Sequence, residues 1–101
     1  MNILKLKNEK QFSLMGDVEQ TTRDGRTWFL RFEILGSYTP EELANNFIKE
    51  NILLMKVLNE ENQEVLILEN YDTIISMQIY SHVSNMDESY VSIQMKKETF
   101  N

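Results

Sequence analysis

Apolar residues along this chain alternate with polar ones in short runs set apart by polar turns, the two-residue rhythm of half-buried strands. Ile3, Leu4 and Leu6 among lysines predict a first strand, ended by Asn8-Glu9-Lys10. Phe12 and Leu14 open a second near Gln11, with Gly16 marking a bulge or bend inside it. Beyond Arg23-Asp24-Gly25-Arg26 the chain returns through Thr27–Leu35, a hairpin whose second arm presents Trp28, Leu30, Phe32 and Ile34 as one apolar face. A two-residue Asp-Gly turn would set Val18 against Arg31. A three-residue loop Arg23-Asp24-Gly25, with Gly25 left-handed, pairs Val18 with Leu30, Gln20 with Trp28 and Asp17 with Arg31, and is the expected register.

The rhythm breaks at Tyr38-Thr39-Pro40-Glu41-Glu42-Leu43. Thr39 is a preferred N-cap, Pro40 suits the first helical position, and Glu42 completes a Thr-x-x-Glu capping box. Tyr38 and Leu43 are spaced as a hydrophobic staple, and Glu41 and Glu42 lie at the positive end of the helix dipole. One short helix is predicted from Pro40, turning Leu43, Ala44, Phe47 and Ile48 toward a sheet that it needs for stability.

After the helix, Asn51–Leu58 is so rich in consecutive apolar residues that its start is expected to be buried on both faces. Asn59–Gln63 is a polar hairpin loop, Glu64–Leu68 returns, and Glu69-Asn70-Tyr71-Asp72 turns. Thr73–Tyr80 is a long strand with Ile75, Met77 and Ile79 on one face. Ser84–Ser89 turns again into Tyr90–Lys96, with Val91, Ile93 and Met95 on one side and Tyr90, Ser92 and Gln94 on the other. Residues 97–101 read as a frayed tail, and Met55, Met77 and Met95 as core filling. The expected fold is α+β, mainly β. It is an antiparallel sheet or small barrel-like sandwich of six to seven strands with one short helix, in the order β-β-β-α-β-β-β-β over a single domain 1–101.

Composition changes this picture by exclusion. No apolar run approaches a membrane span, and the charged N-terminus is no signal peptide, so the expected location is a host cytoplasm or an assembled virion. With no cysteine and one histidine, His82, neither thiolate chemistry nor histidine-based metal sites and triads are available. The glycines at 16, 25 and 36 are too scattered for a phosphate-binding loop. The carboxylate pairs Glu41/Glu42, Glu60/Glu61 and Asp87/Glu88 sit in a cap or loops, where neighbouring side chains diverge into water. No catalytic residue, cofactor, metal or small-molecule substrate is therefore expected, and the chain is read as a non-enzyme. Its net charge of −6 argues against nucleic acid as a direct partner. Residues 36–72 hold eight acids against Lys49 and Lys56, so that segment alone carries −6. It is either a solvated surface or an acidic docking face.

An exposed aromatic on the outer face of a sheet marks a contact surface, which singles out Phe29 and Tyr90. With the acids Glu41, Glu42, Glu60 and Glu61 they form the candidate interface. Met1–Lys7 or Tyr90–Lys96 is the expected edge for pairing with a neighbour, unless Lys5, Lys7, Lys96 and Lys97 guard against such pairing.

The strand Trp28-Phe29-Leu30-Arg31-Phe32, the Thr39-Pro40-Glu41-Glu42-Leu43…Phe47 helix start, the Glu60-Glu61-Asn62 hairpin and the Glu69-Asn70-Tyr71 turn before Thr73-Ile74-Ile75-Ser76 together carry a likeness. In these features the chain resembles small accessory proteins of the tail, baseplate or head type encoded by phages and prophages of low-GC Gram-positive bacteria. That resemblance implies a noncatalytic structural or accessory protein in a particle or tail assembly. Its partners would be other protein subunits, as a homo-oligomer or particle component. The alternative is a small acidic phage-encoded inhibitor that binds a basic groove of a host defence protein or enzyme.

Overall fold

The computed structural model describes residues 1–81 and 89–99. Eight strands form two antiparallel four-stranded sheets that face each other without closing into a barrel, and two short helices accompany them. One sheet has the order β2-β1-β5-β6, built from β1 (Ile3–Lys5), β2 (Gln11–Ser13), β5 (Leu54–Leu58) and β6 (Glu64–Glu69). The other has the order β3-β4-β8-β7, built from β3 (Glu19–Thr22), β4 (Thr27–Leu35), β8 (Tyr90–Glu98) and β7 (Thr73–Tyr80). No helix among the described residues is long and apolar enough to cross a membrane.

The eighth strand comes from a split. The expected second strand breaks at Gly16, whose φ of +81° bends the chain out of the first sheet and into the second. Leu14 bridges to Ile34 at that corner, and the Met15 N–H donates to the Glu33 carbonyl at 2.8 Å.

The hairpin keeps its expected faces but not its expected register. Gln20 pairs with Leu30, Thr22 with Trp28 and Glu19 with Arg31, a shift of two residues that leaves Val18 outside the strand. Side chains in the loop decide this. The Asp24 carboxylate accepts from the Arg26 and Thr27 N–H groups at 2.8 Å, and Thr22 Oγ1 accepts from the Gly25 N–H at 2.9 Å while donating to the Thr27 carbonyl. The bonds from Thr27 and Arg26 hold the Asp24 carboxyl below its usual range. Gly25 has the expected positive φ, +75°.

Helix α1 (Pro40–Asn46) begins as its local signals require, with Thr39 Oγ1 accepting from the Glu42 N–H at 3.1 Å. It ends early. Phe47 is its C-cap, Ile48 and Ala44 are exposed, and only Leu43 and Phe47 of the predicted face are buried. A second helix, α2 (Lys49–Ile52), takes in Asn51 and Ile52, expected to start the next strand, and buries Ile52.

The core joins both sheets. Leu4, Leu6, Phe12, Met55, Val57 and Leu68 from the first meet Leu30, Phe32, Ile34, Val91, Ile93 and Met95 from the second. Phe47 closes one end, its ring centroid 5.1 Å from Phe12 and 6.3 Å from Phe32. Tyr38 joins the same cluster, 5.5 Å from Phe12. Trp28 is half-buried at the margin. The expected tail starts too early, because Lys97 and Glu98 belong to β8, opposite Trp28 and Thr27. His82 and the first part of the Ser84–Ser89 turn, including the Asp87/Glu88 pair, lie outside the described residues, as do Phe100 and Asn101.

Candidate protein interface

Free edges follow from strand order, and the order contradicts both expected ones. β1 lies between β2 and β5, and β8 lies between β4 and β7, so Met1–Lys7 and Tyr90–Lys96 supply interior strands. Among the described residues the edges are β2, β6, β3 and β7. β2 is three residues long and β3 four, with Glu19 in the latter. β6 has a glutamate at each end, and Glu64 is held by Lys56 Nζ at 2.7 Å. Short length and charge are the usual protections of an edge. β7 lacks both. It runs eight residues, Thr73–Tyr80, without a charged side chain.

β7 also holds more of the exposed large apolar residues than any other strand. Of the eight large apolar residues exposed among the described residues, it holds Ile75, Ile79 and Tyr80. The expected common face of Ile75, Met77 and Ile79 is broken by a bulge between Ile74 and Ser76. The bulge leaves Ile74, Met77 and Ile79 opposite the inward-facing Met95, Ile93 and Val91, and sends Ile75 to the outer face. On the inner side, Ile74, Met77 and Ile79 line a groove of about 490 Å³ against Pro40, Leu43, Ala44 and Phe47 of the α1 segment. Glu41 and Glu42 are the only charged residues on either framing element.

The six interface residues read from the sequence are scattered relative to this groove. Phe29 is exposed on the outer face of β4, where it and Ile75 border a shallow hollow with Arg31 and Gln94. Arg31 lies opposite Glu19 rather than Asp17, and its Nη2 is 3.3 Å from Glu33 Oε1. Tyr90 is half-buried and stacks on Tyr80 at 4.8 Å, so one face of its ring is already covered. Glu41 and Glu42 stand exposed on the first turn of α1, where Pro40, Leu43 and Ala44 face the groove and Glu42 lies toward Tyr38. Glu60 and Glu61 are at the β5–β6 tip, where Glu60 is paired with the Met1 ammonium, which holds its carboxyl below the usual range. The structure therefore leaves Glu41 and Glu42 outside the residues that line the groove, and Glu60 and Glu61 on the other sheet's hairpin.

Sequence reasoning missed Ile79, Met77 and Ala44 as surface features. Charge-free length was the available signal, since Thr73–Tyr80 is the longest predicted strand without a charge. Its edge position is a property of strand order, which no local pattern shows. Among the described residues no group of three or more His, Cys, Asp or Glu side chains converges to hold a metal ion. Compared with protein-family models, curated protein sequences and solved structures, the chain matches none.

Proposed function

We propose that the chain is a noncatalytic subunit that works through protein–protein contacts, lending the β7 edge to a neighbouring chain in a phage-type particle or tail assembly. The supporting observation is an edge that neither short length nor charge guards. An eight-residue, charge-free strand beside an apolar groove invites strand addition, in which main-chain bonds supply affinity and side-chain pockets supply selectivity. The particle setting rests on the resemblance carried by the Trp28–Phe32 strand and the Thr39–Phe47 helix start.

Amide hydrogen exchange tests this reading on the free chain and on particles that contain it. The outward amides of Ser76–Tyr80 should exchange within seconds in the free chain and slow markedly after assembly. Equal exchange in both settings would remove β7 as the contact. Purified particles lacking the chain would remove the particle setting.

A second reading is favoured by the acidic first turn of α1: a soluble acidic inhibitor that seizes a basic groove of a host protein. It would leave the chain out of particles, as a monomer or dimer whose binding to the host protein collapses in high salt.

A further inference from the structure

The outer face of the β3-β4-β8-β7 sheet carries a feature separate from the β7 edge. We propose that the hollow between Phe29 and Ile75 is a binding site for a neutral sugar, taking one pyranose ring of a glycan. This goes beyond the β7 contact, because the hollow opens on the broad side of the sheet.

Two apolar side chains wall the hollow. Phe29 on β4 is 42% exposed and Ile75 on β7 is 46% exposed. β8 runs between their strands, so their backbones stand two strand spacings apart, about 10 Å. Ile75 reaches this face through the bulge between Ile74 and Ser76, the kind of irregularity that re-aims a side chain beside a site. The volume of about 200 Å³ lies below the ~300–1,000 Å³ of drug-sized sites, which leaves room for a single ring. The Phe29 ring offers its electron-rich face to C–H groups.

The floor is polar and is ordered by strand pairing. Glu19 lies opposite Arg31, and Arg31 opposite Gln94, so an acceptor, a donor and an amide stand in one row. Neighbours in such a row are about 4.5–5.5 Å apart. Thr21, opposite Phe29, adds a hydroxyl at the rim. Sugar hydroxyls both donate and accept, so a carboxylate, a guanidinium and an amide in sequence can serve adjacent hydroxyls of one ring. A pyranose combines that polar rim with C–H groups on its faces.

Charge excludes the ionic alternatives. Glu19 and Glu33 flank Arg31, with Glu33 Oε1 3.3 Å from Nη2, so a phosphate or carboxylate there meets two like charges. Lys96 pairs with Phe29, and the two acids and two bases in register around the hollow sum to zero. In a chain of net charge −6, this neutral patch selects a neutral ligand.

The test is a titration of the full isotopically labelled chain, followed by amide NMR shifts. The probes are the methyl glycosides of glucose, galactose, mannose and N-acetylglucosamine, with adenosine and inorganic phosphate as competing classes. At least one glycoside should shift the amides of Thr21, Arg31, Ile75 and Gln94 saturably, at roughly millimolar affinity for so small a ligand. That affinity should be the same at low salt and in 1 M salt, because the ligand carries no charge. Phe29→Ala and Gln94→Ala should each weaken it about tenfold, whereas Phe29→Tyr should retain it. Both side chains are exposed, and unchanged shifts in the other sheet would confirm that the variants fold.

No saturable shift from any of the four glycosides would overturn the proposal. Adenosine binding tighter than every glycoside would overturn it in favour of a nucleobase, and phosphate binding there would make the hollow an anion site. Glycoside binding that survives Phe29→Ala and Gln94→Ala unchanged would also overturn it. None of these outcomes bears on the β7 edge, which hydrogen exchange tests independently.

Discussion

Tyr71 shows most clearly what a single residue contributes beyond its place in the sequence. It follows Asn70, whose φ is +65°, in a stretch that reads as a polar turn, yet it is among the largest fully buried side chains. Its hydroxyl donates to Gln20 Oε1 at 2.8 Å. Lys97 covers its ring, with Nζ 4.5 Å from the centroid and 2.8 Å from the Glu69 carbonyl it donates to. Burial pushes the Tyr71 phenol above its usual range. A raised native value means that stability is fully present below the unfolded phenol value of about 10 and is lost as pH rises through the native one. Tyr71→Phe should cost about 0.5–1.5 kcal/mol near neutral pH through the lost hydrogen bond. The gap to the parent should narrow above pH ~10, because the variant lacks this titration. Urea unfolding at pH 7 and at alkaline pH checks both. Tyr38, raised by burial and by the Glu42 carboxylate, leaves some alkaline dependence in the variant; a constant gap would show that Tyr71 ionises alike in both states. None of this was legible locally, since Gln20 and Lys97 are remote in sequence. Thr39 was legible because its cap partner is three residues away.

At the scale of elements, local chemistry predicted where segments begin and non-local pairing decided where they end. The Thr39-Pro40 signal placed the start of α1, while Phe47, packed among Phe12 and Phe32, fixed its end against helical periodicity. Asp24 and Thr22 shifted the hairpin by two residues because side-chain bonds in the loop outweighed a standard turn geometry. β8 went further than its alternation suggested. After Met95 the apolar pattern gives way to Lys96-Lys97-Glu98, which resembles a tail, but β4 continues alongside and supplies partners as far as Thr27. Thr99 then donates its N–H to the Arg26 carbonyl at 2.7 Å. A chain ending at Lys96 loses these pairings and uncovers the Tyr71 ring. Its melting temperature should drop by about 4 °C or more, the shift expected for roughly 1 kcal/mol in a domain of this size. An unchanged transition in calorimetry would mean that the last residues of β8 are held too loosely to contribute.

On the scale of the whole molecule, the alternating faces correctly implied a mainly β fold, as one sheet or a sandwich, but not how the strands divide between two sheets. The division depends on Gly16, one residue whose positive φ turns a single predicted strand into two that serve opposite sheets. Edge identity depends on the same division, which is why β1 and β8 looked free and β7 did not. Interior side chains from the two sheets meet in one cluster, and Phe32 stands at the meeting point, fully buried beside Phe47. Phe32→Ala should cost about 3–5 kcal/mol, the usual range for truncating a buried aromatic. Trp28→Ala should cost less, because Trp28 is half-buried. The sharper expectation concerns cooperativity. If the shared cluster holds both sheets, Phe32→Ala lowers the stability of both together, and far-ultraviolet dichroism and Trp28 fluorescence report the same midpoint in denaturant. Trp28 reports on the sheet that contains β4, whereas dichroism averages over both sheets, so their separation would reveal a sheet that melts alone. Coincident midpoints that move equally would establish that the two sheets unfold as one cooperative unit.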